Sequence, residues 1–487
     1  MRFNGFFSLI LIMMLIGFYS TKAEPRTLTL EEAIELALDN STETKVALLE
    51  IKKAQARVNE AFGYAYPTVD FSTNFTHFIE KPQIPFIDFQ SLLAYSTLMT
   101  MSQMGVLVPD PVTGDPVPFS YNQPYKEKYA LMSMSLANSF ETKLQATQIL
   151  FNSAVFKGIG ASKIYLDLSQ ESLRSTTTKT VTNVKKAFNG VLLTREMLEI
   201  MKASLTNAEN NLKNVKAYYE QGLVSEFDML TVQVQIENLR PTITQLENGL
   251  KQAKDGLKMV LGFNQDEEID VEGEIVYNKA DYNDVNALVK KAMSDNYDIK
   301  TFDIKKKIDN EFIELDRAGY WPTIAAFGSY SISGQSDNFD FMNYNTGVVG
   351  ISFSMNLFNG LRTDEKVQQS TIAVMQTEEQ LAQMKEFVKT QVKAKYLELE
   401  RVNKLLESQE RNVELAEKAY KIANVKYREG TGTQLDIQNA EMALRVAKTN
   451  KLQSIFEYIT AKADLEQLTG ETDKKYFQQV FKKTNKQ

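Results

Sequence analysis

The length of its helical segments constrains this chain most. Residues 153–221 and 361–429 each keep the three-four spacing of apolar positions that suits coiled-coil-like packing. At about 1.5 Å per residue, each run predicts a helix of about 100 Å, which is too long to be buried inside a globular domain. Four shorter runs each predict about 50 Å of helix, at 32–64, 226–261, 283–317 and 433–468. Two short helices end to end match one long helix, so the lengths predict a uniform wall of helical hairpins.

Two similar phrases mark the tips of these hairpins. They read YEQGLVSEFD at 219–228 and YREGTGTQLD at 427–436. Gly222 and Gly430 can adopt the left-handed conformation that closes a helix. A hydroxyl residue then stands where an N-cap is expected, with an aspartate three residues later, as Ser225 with Asp228 and Thr433 with Asp436. The pattern fits ordinary helical turns, and its recurrence in matching context favours a shared role.

The similarity of the two halves extends along the chain. A junction of glycine, aromatic, proline and threonine residues occurs at 61–72 and again at 316–327. The motif LFN occurs at 150–152 and at 357–359. A short sequence that ends in glycine closes each half, at 260–262 and at 468–470. The order in each half is helix, strand, loop, strand, long helix, turn, helix. This pattern predicts a two-fold internal repeat with copies at 24–262 and 263–470, followed by a tail at 471–487.

Alternating segments predict four strands. In 347–358, bulky apolar residues alternate with glycine, serine and asparagine, and 130–136, 69–76 and 324–332 show the same theme. One such strand fits a half-buried soluble sheet as well as a membrane barrel with a wet lumen. Aromatic residues at the junctions with the helices favour lipid, namely Tyr64, Tyr66, Tyr320 and Trp321. Four strands cannot close, so several chains must contribute to one barrel.

The termini and the composition exclude several classes of protein. Residues 1–23 have the charge, apolar run and small residues of a secretory signal. The chain has no cysteine, hence no disulfide and no thiolate metal site, and its net charge of −7 is unfavourable for binding nucleic acid. His77 is the only histidine, and no nucleophile elbow, phosphate loop or HExxH motif is present. We therefore expect no enzymatic activity and no catalytic, cofactor-binding or metal-binding residue.

Residues 79–127 form an unusual segment between the first two predicted strands. Seven of the eleven prolines lie in it, so the sequence predicts neither a long helix nor a central strand there. In the barrel interpretation it is a cell-surface loop.

The repeat, the GYAYPT and GYWPT junctions, the LFN motifs and the two Tyr-x-x-Gly tips together resemble the TolC family of outer-membrane efflux proteins. The resemblance implies an α+β membrane protein, a homotrimer with a 12-stranded β-barrel continued by a 12-helix α-barrel across the periplasm. It also implies a Gram-negative outer-membrane location, a periplasmic adaptor protein and an inner-membrane pump of the RND or ABC type as partners.

The resemblance assigns roles to individual residues only where the motifs match. Gly222, Leu223 and Val224 resemble the outer tip that contacts the adaptor, and Gly430 and Thr431 occupy the equivalent inner tip. Asp436, Asn439 and Tyr427 correspond to the periplasmic aperture, where Asp436 matches an acidic residue and Tyr427 a tyrosine of the closing network. This chain departs from some members at Asn439, where they have a second aspartate, and at Gly432, where they have an arginine.

The function implied is a passive exit duct for drugs, other small molecules or secreted polypeptides, opened by the adaptor and energised by the pump. The alternative is a structural or adhesive envelope protein, a trimeric coiled coil with an outer-membrane anchor. That alternative requires neither a polar lumen nor a gated tip.

Overall fold

The computed structural model describes residues 26–280, 282, 284–472 and 474–484, so the predicted signal at 1–23 lies outside it. The described helices are α1 (Leu30–Asn40), α2 (Thr42–Gly63), α3 (Phe89–Gln103), α4 (Ser153–Glu220), α5 (Glu226–Leu261), α6 (Val285–Asp295), α7 (Tyr297–Arg317), α8 (Arg362–Arg428), α9 (Gln434–Leu468) and α10 (Lys474–Thr484). The described strands are β1 (Arg26–Leu28), β2 (Thr68–His77), β3 (Gln83–Ile87), β4 (Leu107–Pro109), β5 (Pro116–Pro118), β6 (Tyr129–Ser133), β7 (Asn138–Asn152), β8 (Ile269–Val271), β9 (Thr323–Ser336) and β10 (Met342–Ser354).

These elements form two compact units. The helical unit contains the described residues up to Ala61 together with Lys157–Arg317 and those from Leu361 onward. The sheet unit contains Phe62–Phe156 and Ala318–Gly360. None of the described helices combines the length and apolarity needed to cross a lipid bilayer.

The long helices agree closely with their predicted bounds. α4 has 68 residues and α8 has 67, and their hairpin partners α5 and α9 have 36 and 35. The predicted runs at 32–64 and 283–317 are each divided in two, at Ser41 and at Asn296, where the backbone leaves the helical region. Asn296 causes such a break because its Oδ1 accepts hydrogen bonds from the backbone N–H groups of Asp298 and Ile299, which caps α7.

The core of the helical unit lies where the short helices meet the long ones. Leu173, Val184 and Val191 of α4 are completely buried in it, and Tyr458 of α9 is 1% exposed. The Tyr458 hydroxyl accepts a hydrogen bond from the Ala280 N–H at 2.6 Å. The predicted C-terminal tail contains α10, whose Tyr476 and Val480 pack into the same core.

The sheet unit is built on one antiparallel sheet with the order β10-β9-β7-β2. No described strand pairs with the outer edge of β2 or of β10, so the four strands do not close on themselves. The sheet has one apolar and one polar face, because directly opposed residues share a face. The apolar face carries Val69, Phe71, Leu144, Tyr330, Val349, Ile351 and Phe353, and the polar face carries Asp70, Ser72, Lys143, Gln145, Ser329, Ser331 and Ser352.

The prediction of the second strand is wrong. The sequence pattern places residues 130–136 in the main sheet, but β6 instead pairs with β3 in a separate two-stranded ribbon. β7 takes the expected place and pairs with β2 from Thr68↔Thr147 to His77↔Asn138. The stretch 130–136 has the stronger apolar alternation, whereas β7 carries Glu141 and Lys143 on its polar face, so apolar content alone selects the wrong segment.

The proline-rich segment is more ordered than its composition predicts. Between Pro85 and Pro109 it has no proline, and α3 forms there over 15 residues. Asp88 caps this helix by accepting hydrogen bonds from the N–H groups of Gln90 and Ser91. The segment therefore contains a helix, although prolines bound it on both sides.

Candidate functional site

The first hairpin tip joins α4 to α5 through a left-handed glycine. Gly222 has φ of 74°, and the Leu223 N–H donates to the Tyr218 carbonyl at 2.9 Å. Ser225 then caps α5, with its hydroxyl donating to the Asp228 carboxylate at 2.6 Å. Gly222 and Leu223 are exposed, whereas Val224 packs against an apolar cluster. This tip cluster consists of Ala208, Val215, Val232, Ile236 and Leu239.

The second tip repeats this backbone between α8 and α9. Gly430 also has φ of 74°, and the Thr431 N–H donates to the Lys426 carbonyl at 2.9 Å. Thr433 caps α9 and donates to Asp436 from its backbone N–H at 2.8 Å and from its hydroxyl at 2.7 Å. The structure therefore confirms both predicted capping boxes.

Asp436 and Asn439 lie on the exposed side of α9, one turn apart. The hydrogen bonds from the Thr433 backbone and hydroxyl hold the pKa of Asp436 below its ordinary value. The carboxylate is therefore ionised at neutral pH. Within one chain its only established role is that of a helix cap, and a role at an aperture stays a prediction.

Tyr427 connects the two tips within one chain. Its ring centroid lies 6.3 Å from that of Tyr218, and it packs on the edge of the tip cluster. Its hydroxyl is buried and has no hydrogen-bond partner among the described residues. Burial, followed by the negative charge of Asp228, raises the pKa of Tyr427. The structure thus brings Tyr427 close to the first tip, whereas the exposed Asp436 and Asn439 are outside that packing.

Sequence reasoning missed a group of buried polar residues on α9. Gln434 is 2% exposed and Glu441 is 6% exposed. Glu441 accepts a hydrogen bond from Gln235 of α5 at 3.3 Å and lies 3.6 Å from Arg445. The amide atoms of Gln434 and one guanidinium nitrogen of Arg445 have no partner in the described part of the chain. The available signal was their spacing, since Gln434 and Glu441 occupy the same helical stripe as the buried Ile437.

The described ranges contain no group of three or more acidic, histidine or cysteine residues that could hold a metal ion. His77 forms a 2.7 Å hydrogen bond with Asn138 at the end of the sheet. This contact is consistent with the predicted role of His77 as an ordinary polar residue.

Helical hairpins of this length, joined in one chain to a single-layer sheet with one apolar face, are the elements of an envelope channel. The family model described as "Outer membrane efflux protein" matches residues 124–263 and 288–471, which is more than half of the chain. The chain therefore belongs to the outer membrane efflux protein family, as the TolC resemblance predicted. It is a transport conduit of the Gram-negative outer membrane and not an enzyme.

Individual relatives agree with this assignment. Outer membrane protein TolC of Vibrio cholerae is 22% identical over 341 residues, covering 68% of this chain and 77% of the relative. The alkaline protease secretion protein AprF of Pseudomonas aeruginosa is 22% identical over 343 residues, covering 69% and 70%. Among solved structures, the CmeC outer membrane channel of Campylobacter jejuni superimposes with a TM-score of 0.70 at 14% identity, covering 94% of this chain and 89% of that one.

Proposed function

We propose that this chain is the outer-membrane exit duct of a tripartite export system, a passive trimeric channel for small molecules or secreted polypeptides. The observation that carries the proposal is the four-stranded sheet with one apolar face, one polar face and two unpaired edges. The surfaces of the two hairpin tips are compatible with this role, and they indicate where partner proteins would bind.

The two unpaired edges of the sheet must pair with further strands before the sheet can span a membrane. An unsatisfied backbone N–H or C=O group costs several kcal/mol in lipid, so spanning sheets must close. Three copies supply twelve strands, which is a size that membrane barrels adopt. The face with Val349 and Phe353 then contacts lipid, and the face with Asp70 and Lys143 lines a wet lumen. The helical units of the three copies supply a wall of twelve helices, in which the halves 24–262 and 263–470 act as equivalent repeats.

The tips suit the attachment of other proteins. Leu223 and Phe227 at the first tip are exposed, and nothing in the described chain covers them. Exposed apolar side chains at a hairpin end favour contact with a protein partner. In this proposal a periplasmic adaptor binds Gly222, Leu223 and Val224 together with Gly430 and Thr431, and an inner-membrane pump of the RND or ABC type supplies the energy.

The second tip is the better candidate for the aperture. Three-fold symmetry repeats Asp436 around an axis, and its depressed pKa keeps each carboxylate charged. Asn439 contributes a neutral amide instead of a second acidic ring. Tyr427 anchors this tip to the first one through Tyr218, so release of that contact is part of opening.

The alternative function, a structural or adhesive coiled-coil protein with a membrane anchor, has less support. An anchor needs only the apolar face of the sheet. The charged and hydroxyl side chains on the other face are unnecessary for it, yet they occupy all four strands.

Planar-bilayer recording tests the proposal. Purified trimers should form discrete, long-lived conductances, because the barrel lumen is polar and continuous. The matched variant is Ser352→Trp on the polar face, with Phe353→Trp on the apolar face as its control. Only the first change should lower the conductance. Inserted trimers without any conductance would favour the structural alternative.

A further inference from the structure

The helix α3 presents an apolar surface that nothing in the described chain covers. None of its 15 residues is buried. Residues 89–109 contain no charged side chain, since the nearest charges are Asp88 and Asp110. The outward side carries Phe89, Leu92, Leu93 and Met101, and Leu93 is 57% exposed. Such a surface is unfavourable in water and marks a contact with lipid or protein.

The hydroxyl groups of this helix are already satisfied. Ser96 and Thr97 both donate to the Leu93 carbonyl at 2.8 Å, and Thr100 donates to the Ser96 carbonyl at 2.8 Å. Serine and threonine can therefore face an apolar medium here without losing a hydrogen bond. The outward side of α3 consists largely of apolar carbon and of hydroxyls that donate back to their own helix.

The position of α3 along the sheet unit indicates which apolar medium it meets. The chain leaves the sheet after His77 and returns at Asn138, and these two residues are paired at one end of the sheet. At this end Phe75 and Phe140 lie on the apolar face, and Phe339 and Phe341 of the turn between β9 and β10 pack against them, with ring centroids 5.1 to 6.4 Å apart. Aromatic belts mark the membrane surface, so the segment containing α3 starts where the bilayer ends.

From these observations we infer that α3 is a membrane-surface helix, whose outward side lies at the boundary between the headgroups and the acyl chains of outer-membrane lipid. The inference rests on the outer-membrane function proposed above. A contact with a second copy of the chain is less favoured, because protein interfaces carry a polar rim, whereas the hydroxyls of Ser96, Thr97 and Thr100 already donate to their own helix. At 15 residues the helix is also too short to span a bilayer.

The inner side of α3 holds it in the segment. Tyr95 packs against Tyr121 and Tyr125, with centroids 5.8 and 5.1 Å away. The Tyr121 N–H also donates to the Ser102 hydroxyl at 2.9 Å. These contacts fix the helix from one side and leave Phe89, Leu93 and Met101 free to face lipid.

Because the chain has no cysteine, single-cysteine labelling tests the inference directly. Leu93→Cys and Met101→Cys would each carry a polarity-sensitive fluorophore, and Thr113→Cys in the charged turn between β4 and β5 is the control. The full-length protein is reconstituted in phosphatidylcholine and phosphatidylglycerol vesicles that contain nitroxide-labelled lipid. The two α3 positions should show blue-shifted emission and a loss of intensity to nitroxide, and Thr113→Cys should show neither.

Two results would overturn the inference. Quenching of the α3 labels by soluble iodide, with no effect of nitroxide lipid, places the helix in water. Resistance to both quenchers, together with oxidative disulfide crosslinking of the unlabelled Leu93→Cys variant between chains, assigns the surface to a second copy. The conductance of the same labelled trimers is recorded in parallel. If the trimers conduct but nitroxide lipid does not quench the α3 labels, only the role of α3 is contradicted. If unlabelled wild-type trimers form no conductance, the proposed function is contradicted.

Discussion

The two hairpin tips share one backbone but differ in the surfaces they present. Gly222 and Gly430 have the same φ of 74°, and a capping box follows each. The first tip exposes Leu223 and Phe227, which are 67% and 76% exposed. The second has Thr431 in place of Leu223 and carries the ionised carboxylate of Asp436, although Leu435, the counterpart of Phe227, is also 58% exposed. The turn motif thus determines the path of the chain, and the residues around it determine what the tip can contact.

The helices behind the tips differ in the same sense. α8 and α9 are joined by several ion pairs along their length, namely Arg401 with Glu457, Lys448 with Glu417 and Lys451 with Glu410, whereas the described residues of α4 and α5 share the one pair of Lys202 with Glu247. Between α4 and α5 a groove of about 840 Å³ opens beside Pro241, lined in part by Met197 and Met201. A proline inside a helix removes one backbone N–H and distorts the preceding turn. The first hairpin therefore combines an apolar tip with looser packing above it.

The largest expected effect comes from a charge in the tip cluster of the first hairpin. Val232 is fully buried there, and Val232→Asp places an unpaired carboxylate among apolar side chains. We expect a loss of at least about 3 kcal/mol of local stability, seen as rapid proteolysis within α4 and α5. Leu223→Asp, at the exposed tip, is the control and should leave proteolysis unchanged. Equal sensitivity of the two variants would mean that the cluster does not hold this hairpin.

The stability of the second hairpin should fall most when its buried ion pair is broken. Glu441→Ala leaves the Arg445 guanidinium without its counter-charge, and breaking a buried pair costs about 3 kcal/mol. The double variant Glu441→Leu with Arg445→Leu should recover most of that loss, because apolar residues can replace such a pair. The measurement is thermal loss of helix by circular dichroism in detergent. A double variant as unstable as the single one would show that the packing at this site, and not the charge, matters.

Replacement of the tip glycines should affect both hairpins equally. Gly222→Ala and Gly430→Ala each force a side chain into the left-handed region, where there is open space but a strain of about 1–2 kcal/mol. Gly256→Ala, inside α5 and also in open space, is the control and should stabilise by about 0.5–1 kcal/mol. Thermal unfolding distinguishes the three. A difference between the two tip variants would mean that their backbones diverge in the assembled protein.

A smaller effect is expected at the ring that joins the two tips. Tyr427→Phe removes a buried hydroxyl that has no partner in the described chain, so stability should stay equal or rise by up to about 1 kcal/mol. Tyr218→Phe is the matched control on the first hairpin. If the Tyr427 hydroxyl closes the aperture through a contact between subunits, Tyr427→Phe will instead raise the resting conductance, and the single-chain interpretation is wrong.

The sequence predicted the long helices well because periodicity and caps act locally. The run at 153–221 corresponds to α4, and the capping hydroxyls Ser225 and Thr433 were found directly from their spacing. The division at Asn296 was missed, since one polar residue in a periodic run gives no sign that its side chain will cap a new helix. Strand β7 was missed because its charged residues face the polar side of a sheet that only tertiary structure defines.

The buried polar residues of the second hairpin were also beyond prediction. Acidic and basic residues at i and i+4 look the same on a solvated face and inside an interface. Glu441 with Arg445 is such a pair, and the contact of Glu441 with Gln235 of α5 shows that it lies inside an interface. In the first hairpin Val232, Ile236 and Leu239 keep the three-four spacing of apolar positions, so their burial is of the kind that periodicity can predict.

The last prediction separates the two capping aspartates, for which the smallest change in stability is expected. Asp436→Asn and Asp228→Asn each weaken a cap by similar geometry, since both carboxylates accept hydrogen bonds from a capping hydroxyl and its backbone N–H. Only Asp436 is assigned to the proposed aperture, where three carboxylates would focus negative potential. A trivalent cation added from the periplasmic side should therefore block wild type and Asp228→Asn, and not Asp436→Asn.

The pH dependence of this block has a definite sign. Hydrogen bonds from Thr433 lower the pKa of Asp436 within one chain, whereas neighbouring carboxylates in a trimer ring would raise it. The block should therefore weaken as pH falls and Asp436 is protonated. The stability that the cap contributes in one chain is present above the unfolded pKa and disappears as pH falls through the lowered folded pKa. Single-channel recording at stepwise lower pH measures this directly. A block that persists in Asp436→Asn would place the constriction elsewhere and leave the second tip with the capping role that the first tip also has.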